Sequence, residues 1–190
     1  TISATPRGLA KLRRDLVHVL RLMDLANLYD KVIEHRTWET IRESVREHAT
    51  LALTREAADR FLSLISQPGR LGDLLRRLHQ LRVLEQIVPG MSHARCLLQF
   101  NEFHKYTVDE HSIRAVEEAV RFFDDPGTVG EAYRGLRNKR LLHLALLIHD
   151  LGKGNPEDHS EVGARLAEET AQRLGLPDRE AEILRFLVRW

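Results

Sequence analysis

The sequence predicts an all-α protein, and three observations support that prediction. Leucine and alanine dominate the apolar residues, whereas valine, isoleucine and the aromatic residues are too sparse for sheets. Apolar residues recur at spacings of three and four in segment after segment, which is typical of amphipathic helices. Alternating apolar and polar residues, the pattern of a half-buried strand, never extend beyond about four positions.

Composition narrows the possible classes of protein. The chain has 190 residues, of which 43% are hydrophobic and 30% charged, so a folded globular chain is expected. A net charge of +1 argues against a dedicated DNA- or RNA-binding protein. One cysteine cannot form an internal disulfide, and no apolar run approaches the roughly 20 residues of a membrane span. We therefore expect a soluble, cytoplasmic chain with no membrane partner.

The first half of the chain predicts four helices. Residues 8–33 have the periodicity of one long amphipathic helix, and residues 37–48 that of a second. Thr54 is the expected N-cap of a third helix. After a break at residues 66–72, a leucine stripe over residues 71–84 predicts a fourth helix that ends at Pro89 and Gly90.

The second half predicts an irregular segment followed by further helices. Residues 91–106 lack periodicity, and Thr107 with Glu110 forms a capping-box pattern that opens a helix to about Phe123. Residues 138–150 predict a helix that is buried nearly all round, and a loop over 151–158 follows it. Asp158 and Gly175 are the expected caps of the next helix. We place a helical lead-in region at residues 1–90 and the functional domain at residues 91–190, and expect the chain to be part of a longer protein.

A group of histidines in the second half is the strongest candidate for chemistry. His149 and Asp150 end the most apolar helix, where a buried imidazole and carboxylate are costly without partners. A divalent metal is one such partner, and His111 and His159 are further candidate ligands. Lys153 follows in a glycine-bearing turn and is suited to an anionic phosphoryl group. Satisfied or surface histidines are the alternative interpretation, and these residues alone leave both open.

Longer motifs resemble a known family. The spacing of His111, His149 and Asp150 resembles the HD superfamily of metal-dependent phosphohydrolases. FHKYTVDEH at residues 103–111 resembles the H-x-Y-T-V-D-E-H signature of the bacterial PII-protein uridylyltransferase/uridylyl-removing enzymes. HDLGKG at 149–154 and DHSEVG at 158–163 resemble two more motifs of that family, and residues 69–90 resemble the helical segment before its HD domain. The resemblance covers about residues 55–190.

The resemblance implies a fold and a set of site residues. The fold would be an all-α HD-domain helical bundle preceded by the helical lead-in region. One or two divalent ions (Mn, Mg, Fe or Zn) would be held, with Asp150 as the shared carboxylate, by the ligands His111, His149, Asp150 and His159. The catalytic residues would be Asp150 and Lys153. The substrate side would be lined by His104, Lys105, Tyr106, Arg114 and Lys153. A further aspartate ligand would lie on a helix after residue 190.

The resemblance also implies an activity. The expected reaction is hydrolysis of a phosphodiester, the bond between UMP and a tyrosine of a PII signalling protein, so uridylylated PII is the expected partner in nitrogen regulation. Two alternatives stay open: an HD nucleotide or cyclic-dinucleotide phosphohydrolase, and a non-catalytic helical sensing or interaction module. The sequence has neither the Gly-Ser turn with paired aspartates of the family's uridylyl-adding domain nor strand-rich regulatory domains. It leaves the oligomeric state open.

Overall fold

The protein is all-α, as predicted, in a computed structural model that describes residues 1–47, 53–98 and 106–190. Within those ranges the only β-type pairing is an isolated parallel bridge between Ile2 and Ile33. No helix among the described residues is long and apolar enough to cross a bilayer. In chain order the helices are α1 (Pro6–Leu12), α2 (Leu16–Leu28), α3 (His35–Glu47), α4 (Arg55–Ile65), α5 (Leu71–Gln80), α6 (Val83–Ile87), α7 (Gly90–Ala94), α8 (Val108–Arg121), α9 (Thr128–Gly135), α10 (Lys139–Ile148), α11 (His159–Leu174) and α12 (Asp178–Arg189).

Two helices that the apolar periodicity predicts as continuous are divided. The single helix predicted over residues 8–33 is wrong, because Asp15 adopts extended backbone and its carboxylate accepts a hydrogen bond from the Val17 amide at 2.8 Å. That side chain caps a new helix, α2. The leucine stripe over residues 71–84 is divided at Arg82, whose φ of 60° is left-handed. Periodicity finds the buried face but not a residue that interrupts the backbone.

The caps of the later helices follow the prediction in part. Thr54 accepts from the Ala57 amide, and Asp158 accepts from the amides of Ser160 and Glu161. Gly175 ends α11 with a φ of 63°, as expected for a C-cap glycine.

The capping box predicted at the start of α8 is wrong. Thr107 is the N-cap by backbone position, but its side chain makes no capping hydrogen bond. Its hydroxyl bonds the Asp109 carboxylate instead. The Glu110 carboxylate is bound by Arg76 and Arg114, so it is held by side chains rather than by the helix N-terminus. Ion pairs with arginines compete successfully with the local cap.

A single apolar core joins the two halves of the chain. The cluster of buried side chains runs from Leu12 in α1 to Val188 in α12 and crosses the boundary predicted at residues 90/91. That boundary stays a prediction. Helix α10 lies at the centre of the bundle and contacts α4, α8, α11 and α12. Because Leu144, Leu147 and Ile148 are fully buried, the C-terminal end of α10 is fixed beside α8.

Candidate metal centre

Three predicted ligands meet where α8 and α10 come together. His111 lies in the first turn of α8, and His149 and Asp150 follow the last turn of α10. The Nε2 atom of His111 is 3.4 Å from Oδ2 of Asp150, and Nε2 of His149 is 3.5 Å from the same oxygen. One donor atom from each residue lies within 4.8 Å of the other two. His111 therefore forms one cluster with two residues that lie 38 and 39 positions further along the chain.

The orientation of the His149 ring is set by the main chain. Its Nδ1 atom lies 2.7 Å from the carbonyl oxygen of Leu146. Because a carbonyl can only accept, Nδ1 carries the proton in the neutral ring, and Nε2 presents a lone pair. That lone pair is on the side of the ring that approaches Asp150. Metal-binding histidines in proteins are oriented by the same kind of hydrogen bond.

The donor set fits a divalent cation. Two imidazole nitrogens and a carboxylate oxygen suit first-row metals and Mg-type ions. Ligand atoms about 2.1 Å from one ion are separated by roughly 3.0–3.5 Å, which includes the two distances to Asp150. Asp150 is buried, whereas the rings of His111 and His149 are half-buried, so the cluster is open on one side. A catalytic metal site needs such an open side.

The loop after α10 brings a cation to the cluster. Lys153 donates from Nζ to Oδ2 of Asp150 at 2.8 Å. A backbone hydrogen bond from the Lys153 amide to the Asp150 carbonyl closes the turn. Gly152 packs so closely on α11 that a Cβ atom there would lie 2.2 Å from the His159 carbonyl oxygen. Only glycine fits at this position. The close packing of Gly152 against α11 therefore fixes the backbone position of the next residue, Lys153.

His159 lies outside the cluster of three. It is exposed at the first position of α11, and the metal-compatible group found among the described residues does not include it. His159 lines an adjoining cavity of about 350 Å³ together with His149, Asp150 and the end of α12. Its role as a ligand to a second ion stays a prediction.

Two of the predicted substrate residues, Tyr106 and Arg114, lie at the start of α8. The Arg114 guanidinium carbon is 4.1 Å from the centre of the exposed Tyr106 ring, and its Nε donates to Glu110 at 2.7 Å. Arg114 follows His111 by three residues and so lies on the same side of the helix. His104 and Lys105 fall outside the described residues.

Sequence reasoning missed a buried network under this part of α8. The Asp109 carboxylate is buried and lies 2.9 Å from Nε2 of His79 and 3.1 Å from the Cys96 amide nitrogen. Burial by itself raises the pKa of Asp109. Hydrogen bonds from Thr107, Cys96, Glu110 and His79 outweigh burial and hold the pKa below its usual value. The signals available in the sequence were that Asp109 is two residues from a candidate ligand and lies within the FHKYTVDEH motif.

Comparison with known proteins agrees with this geometry. Residues 108–190 match the family model described as HD domain. The chain is 38% identical over 143 residues to a protein of Ruegeria pomeroyi named bifunctional uridylyltransferase/uridylyl-removing enzyme; that match covers 72% of this chain and 16% of the relative. A protein of the same name from Cereibacter sphaeroides is 36% identical over 141 residues, covering 72% of this chain and 15% of the relative. The chain thus spans about one sixth of the length of these relatives.

Proposed function

Through residues 108–190 the chain belongs to the HD-domain family of phosphohydrolases, and we propose that it removes UMP from a uridylylated PII signalling protein. The observation that carries this proposal is the convergence of His111, His149 and Asp150 on one open cluster. The relatives support a uridylyl group as the group removed, since uridylyl removal is part of their name. The bond to be hydrolysed is a phosphodiester between UMP and a tyrosine oxygen.

The three clustered residues would hold a divalent ion, Mn, Mg, Fe or Zn. Such an ion, when bound, makes water more acidic and offsets negative charge on a phosphoryl group. The chain's own contribution is to hold the two imidazoles and the carboxylate in place before substrate arrives. His149 is oriented by the Leu146 carbonyl, and Asp150 is held by Lys153. Little reorganisation is then needed during the reaction.

Basic side chains around the cluster can offset the negative charge of the substrate. Lys153 is close enough to Asp150 to form an ion pair, so its ammonium lies beside the cluster. We assign it the neutralisation of charge on the phosphoryl oxygens. Arg114, on α8, and Tyr106, just before that helix, form a cation–π pair. They offer a guanidinium and an aromatic ring to the rest of the nucleotide. The tyrosine oxygen is a good leaving group among alcohols, since the pKa of a phenol is about 10.

An assay of UMP release tests the proposal. With Mn²⁺ present, the chain is expected to release UMP from uridylylated PII. Asp150→Asn should lower the rate by more than about 100-fold, because it removes the only carboxylate of the cluster. Asp59→Asn is the matched control; Asp59 is a surface residue that pairs with Arg55 on α4, and this variant should match the parent chain.

Other outcomes of the same assay identify the alternatives. Hydrolysis of free nucleotides or cyclic dinucleotides, with no UMP released from PII, would contradict the proposed substrate and favour a nucleotide phosphohydrolase. Binding of uridylylated PII without any hydrolysis would favour a non-catalytic interaction module. Equal rates for Asp150→Asn and the parent chain would contradict the proposed centre itself.

A further inference from the structure

The buried network under the first turn of α8 connects the metal centre to the lead-in helices. We propose that His79, on α5, is a positioning residue of the centre: acting through Asp109, it fixes the start of α8 and thereby the place of His111. The inference rests on the proposed function only in that it takes His111 to be a metal ligand. His79 lies outside the segment that matches the HD domain, which begins at residue 108.

Asp109 is the point at which three parts of the chain meet. Its Oδ2 atom is shared by Nε2 of His79 and by the backbone amide of Cys96, which belongs to the turn after α7. Its Oδ1 atom accepts from the Glu110 amide at 2.9 Å, and the Thr107 hydroxyl also bonds the carboxylate. A buried carboxylate with donors on both oxygens has little freedom to move. Because His111 is two residues further along the same helical turn, its position depends on this anchor.

The proton of the His79 ring can be placed from its neighbours. Nη2 of Arg95 is 3.2 Å from Nδ1 of His79, and a guanidinium can only donate. Nδ1 therefore accepts, and Nε2 carries the hydrogen that is donated to Asp109. Burial and the charge of Arg95 lower the pKa of His79, which agrees with a neutral ring. The network therefore has a direction, from Arg95 through His79 to Asp109.

Arg95 is itself fixed, so the network has a rigid origin. Its guanidinium donates to the buried Glu85 carboxylate of α6 and, at 2.6 Å, to the carbonyl oxygen of His79. These contacts place α5, α6 and the turn at residues 95–96 under the N-terminal end of α8. Through His79 and Glu85, the lead-in region thus contributes to holding the first turn of α8, which carries His111.

Two substitutions separate the two contacts of the His79 ring. In His79→Gln the side-chain amide reaches the place of Nε2 and can still donate to Asp109. In His79→Asn the shorter amide reaches only the place of Nδ1, so it keeps a partner for Arg95 and loses Asp109. Thr37→Val is the control for loss of a buried polar contact elsewhere, because Thr37 bonds the Ala4 amide and Glu34 far from the centre in sequence.

The variants are compared in the 190-residue chain by three measurements. These are the dissociation constant for Mn²⁺ by calorimetry, the ring signals of His111 by NMR without metal, and the urea midpoint of unfolding. His79→Asn is expected to weaken Mn²⁺ binding about ten-fold, the lower end for loss of an outer partner of a ligand, and to shift the His111 signals. His79→Gln should restore both to within about two-fold of the parent chain. Thr37→Val should lower the midpoint alone.

The inference is overturned if His79→Asn binds Mn²⁺ like the parent chain, or if His79→Gln is as impaired as His79→Asn. A parent chain that binds Mn²⁺ but releases no UMP contradicts the proposed function and leaves this comparison intact. If the parent chain binds no Mn²⁺, the metal centre is wrong, and the His111 signals alone decide whether His79 positions that residue. If His79→Asn does not fold, Thr107→Val is the substitute, because it removes another donor to Asp109 from a half-buried position. This variant must then shift the His111 ring signals relative to the parent chain.

Discussion

Two histidines, His143 within α10 and His149 directly after its last residue, differ in what their second ring nitrogen contacts. In both His143 and His149, Nδ1 lies within hydrogen-bond distance of a carbonyl oxygen, of Ile65 and Leu146 respectively. Nε2 of His143 is taken by the Tyr133 hydroxyl at 2.8 Å, and that ring is fully buried. Nε2 of His149 approaches Asp150 on a half-buried ring, next to His111. The hydrogen bonds of the first histidine are completed by protein groups, whereas for the second we propose a cation as the partner of Nε2.

The largest effect that separates the two histidines is on metal binding. His149→Ala should weaken Mn²⁺ binding by at least about 100-fold, because it removes a ligand. Its free energy of unfolding should change by less than about 1 kcal/mol, since the ring is partly exposed. Calorimetric titration and urea unfolding of the same sample measure both. Loss of stability with unchanged metal affinity would place His149 in the class of His143.

His143→Ala should show the opposite pattern. The substitution leaves a cavity and removes the partner of the Ile65 carbonyl, so about 2–4 kcal/mol of stability should be lost. Mn²⁺ affinity of the folded fraction should stay within about three-fold, because this ring is not part of the cluster. Urea denaturation with the metal titration repeated under native conditions tests this. A loss of affinity as large as that of His149→Ala would contradict the distinction between the two histidines.

Tyr133→Phe sharpens the comparison by removing a single atom. Without the hydroxyl, Nε2 of the buried His143 ring loses its partner, which should cost about 1–2 kcal/mol. Helix α9 should loosen as well, because Tyr133 and Gly130 are its buried residues. Hydrogen exchange of the α9 amides, compared with those of α11, measures the effect. Protection unchanged in α9 would show that the tyrosine contact does not anchor this helix.

The smallest expected effect is on the pH dependence of stability. Burial lowers the pKa of His143 below its value of about 6.5 in an unfolded chain, so the unfolded state binds more protons in that range. The contribution of the neutral His143 ring to the free energy of unfolding is therefore fully present above about pH 6.5 and declines as the pH falls below that value. His143→Gln should flatten this decline between pH 7.5 and 5.5 in urea unfolding. Part of the pH dependence should remain in this variant, because the pKa of His79 is also lowered. An unchanged pH dependence of the free energy of unfolding would contradict a lowered pKa for His143.

Short-range patterns predicted the fold well and predicted only part of the site. The spacing of leucines found the long helices, and the family motifs found His111, His149 and Asp150, because each motif is local in sequence. Helix α9 was missed because residues 128–135 bury only Gly130 and Tyr133 and so show no apolar stripe. Asp15 was missed because one capping side chain can interrupt an unbroken periodicity.

The support of the site could not be predicted, for a physical reason. His79 and Asp109 are 30 residues apart, and their contact depends on how α5 packs under α8. The capping box failed for the same reason, since Glu110 found Arg76 on another helix. His159 belongs to a motif of the family, yet at the start of α11 it lines the adjoining cavity and is not one of the three clustered residues. Long-range side-chain pairing decides such contacts, and one sequence does not display it.

We expect His111 and His149 to bind one divalent ion through Nε2, and ¹⁵N NMR of the histidine rings can follow each of these nitrogens separately. One equivalent of Zn²⁺ should move the Nε2 signals of both residues, leave Nδ1 of His149 protonated and leave both nitrogens of His143 unmoved. Zn²⁺ is diamagnetic, so the signals stay visible and each nitrogen reports separately. If the signals of His111 and His149 do not move, whether the ion binds at other histidines or not at all, these two rings do not share a metal ion.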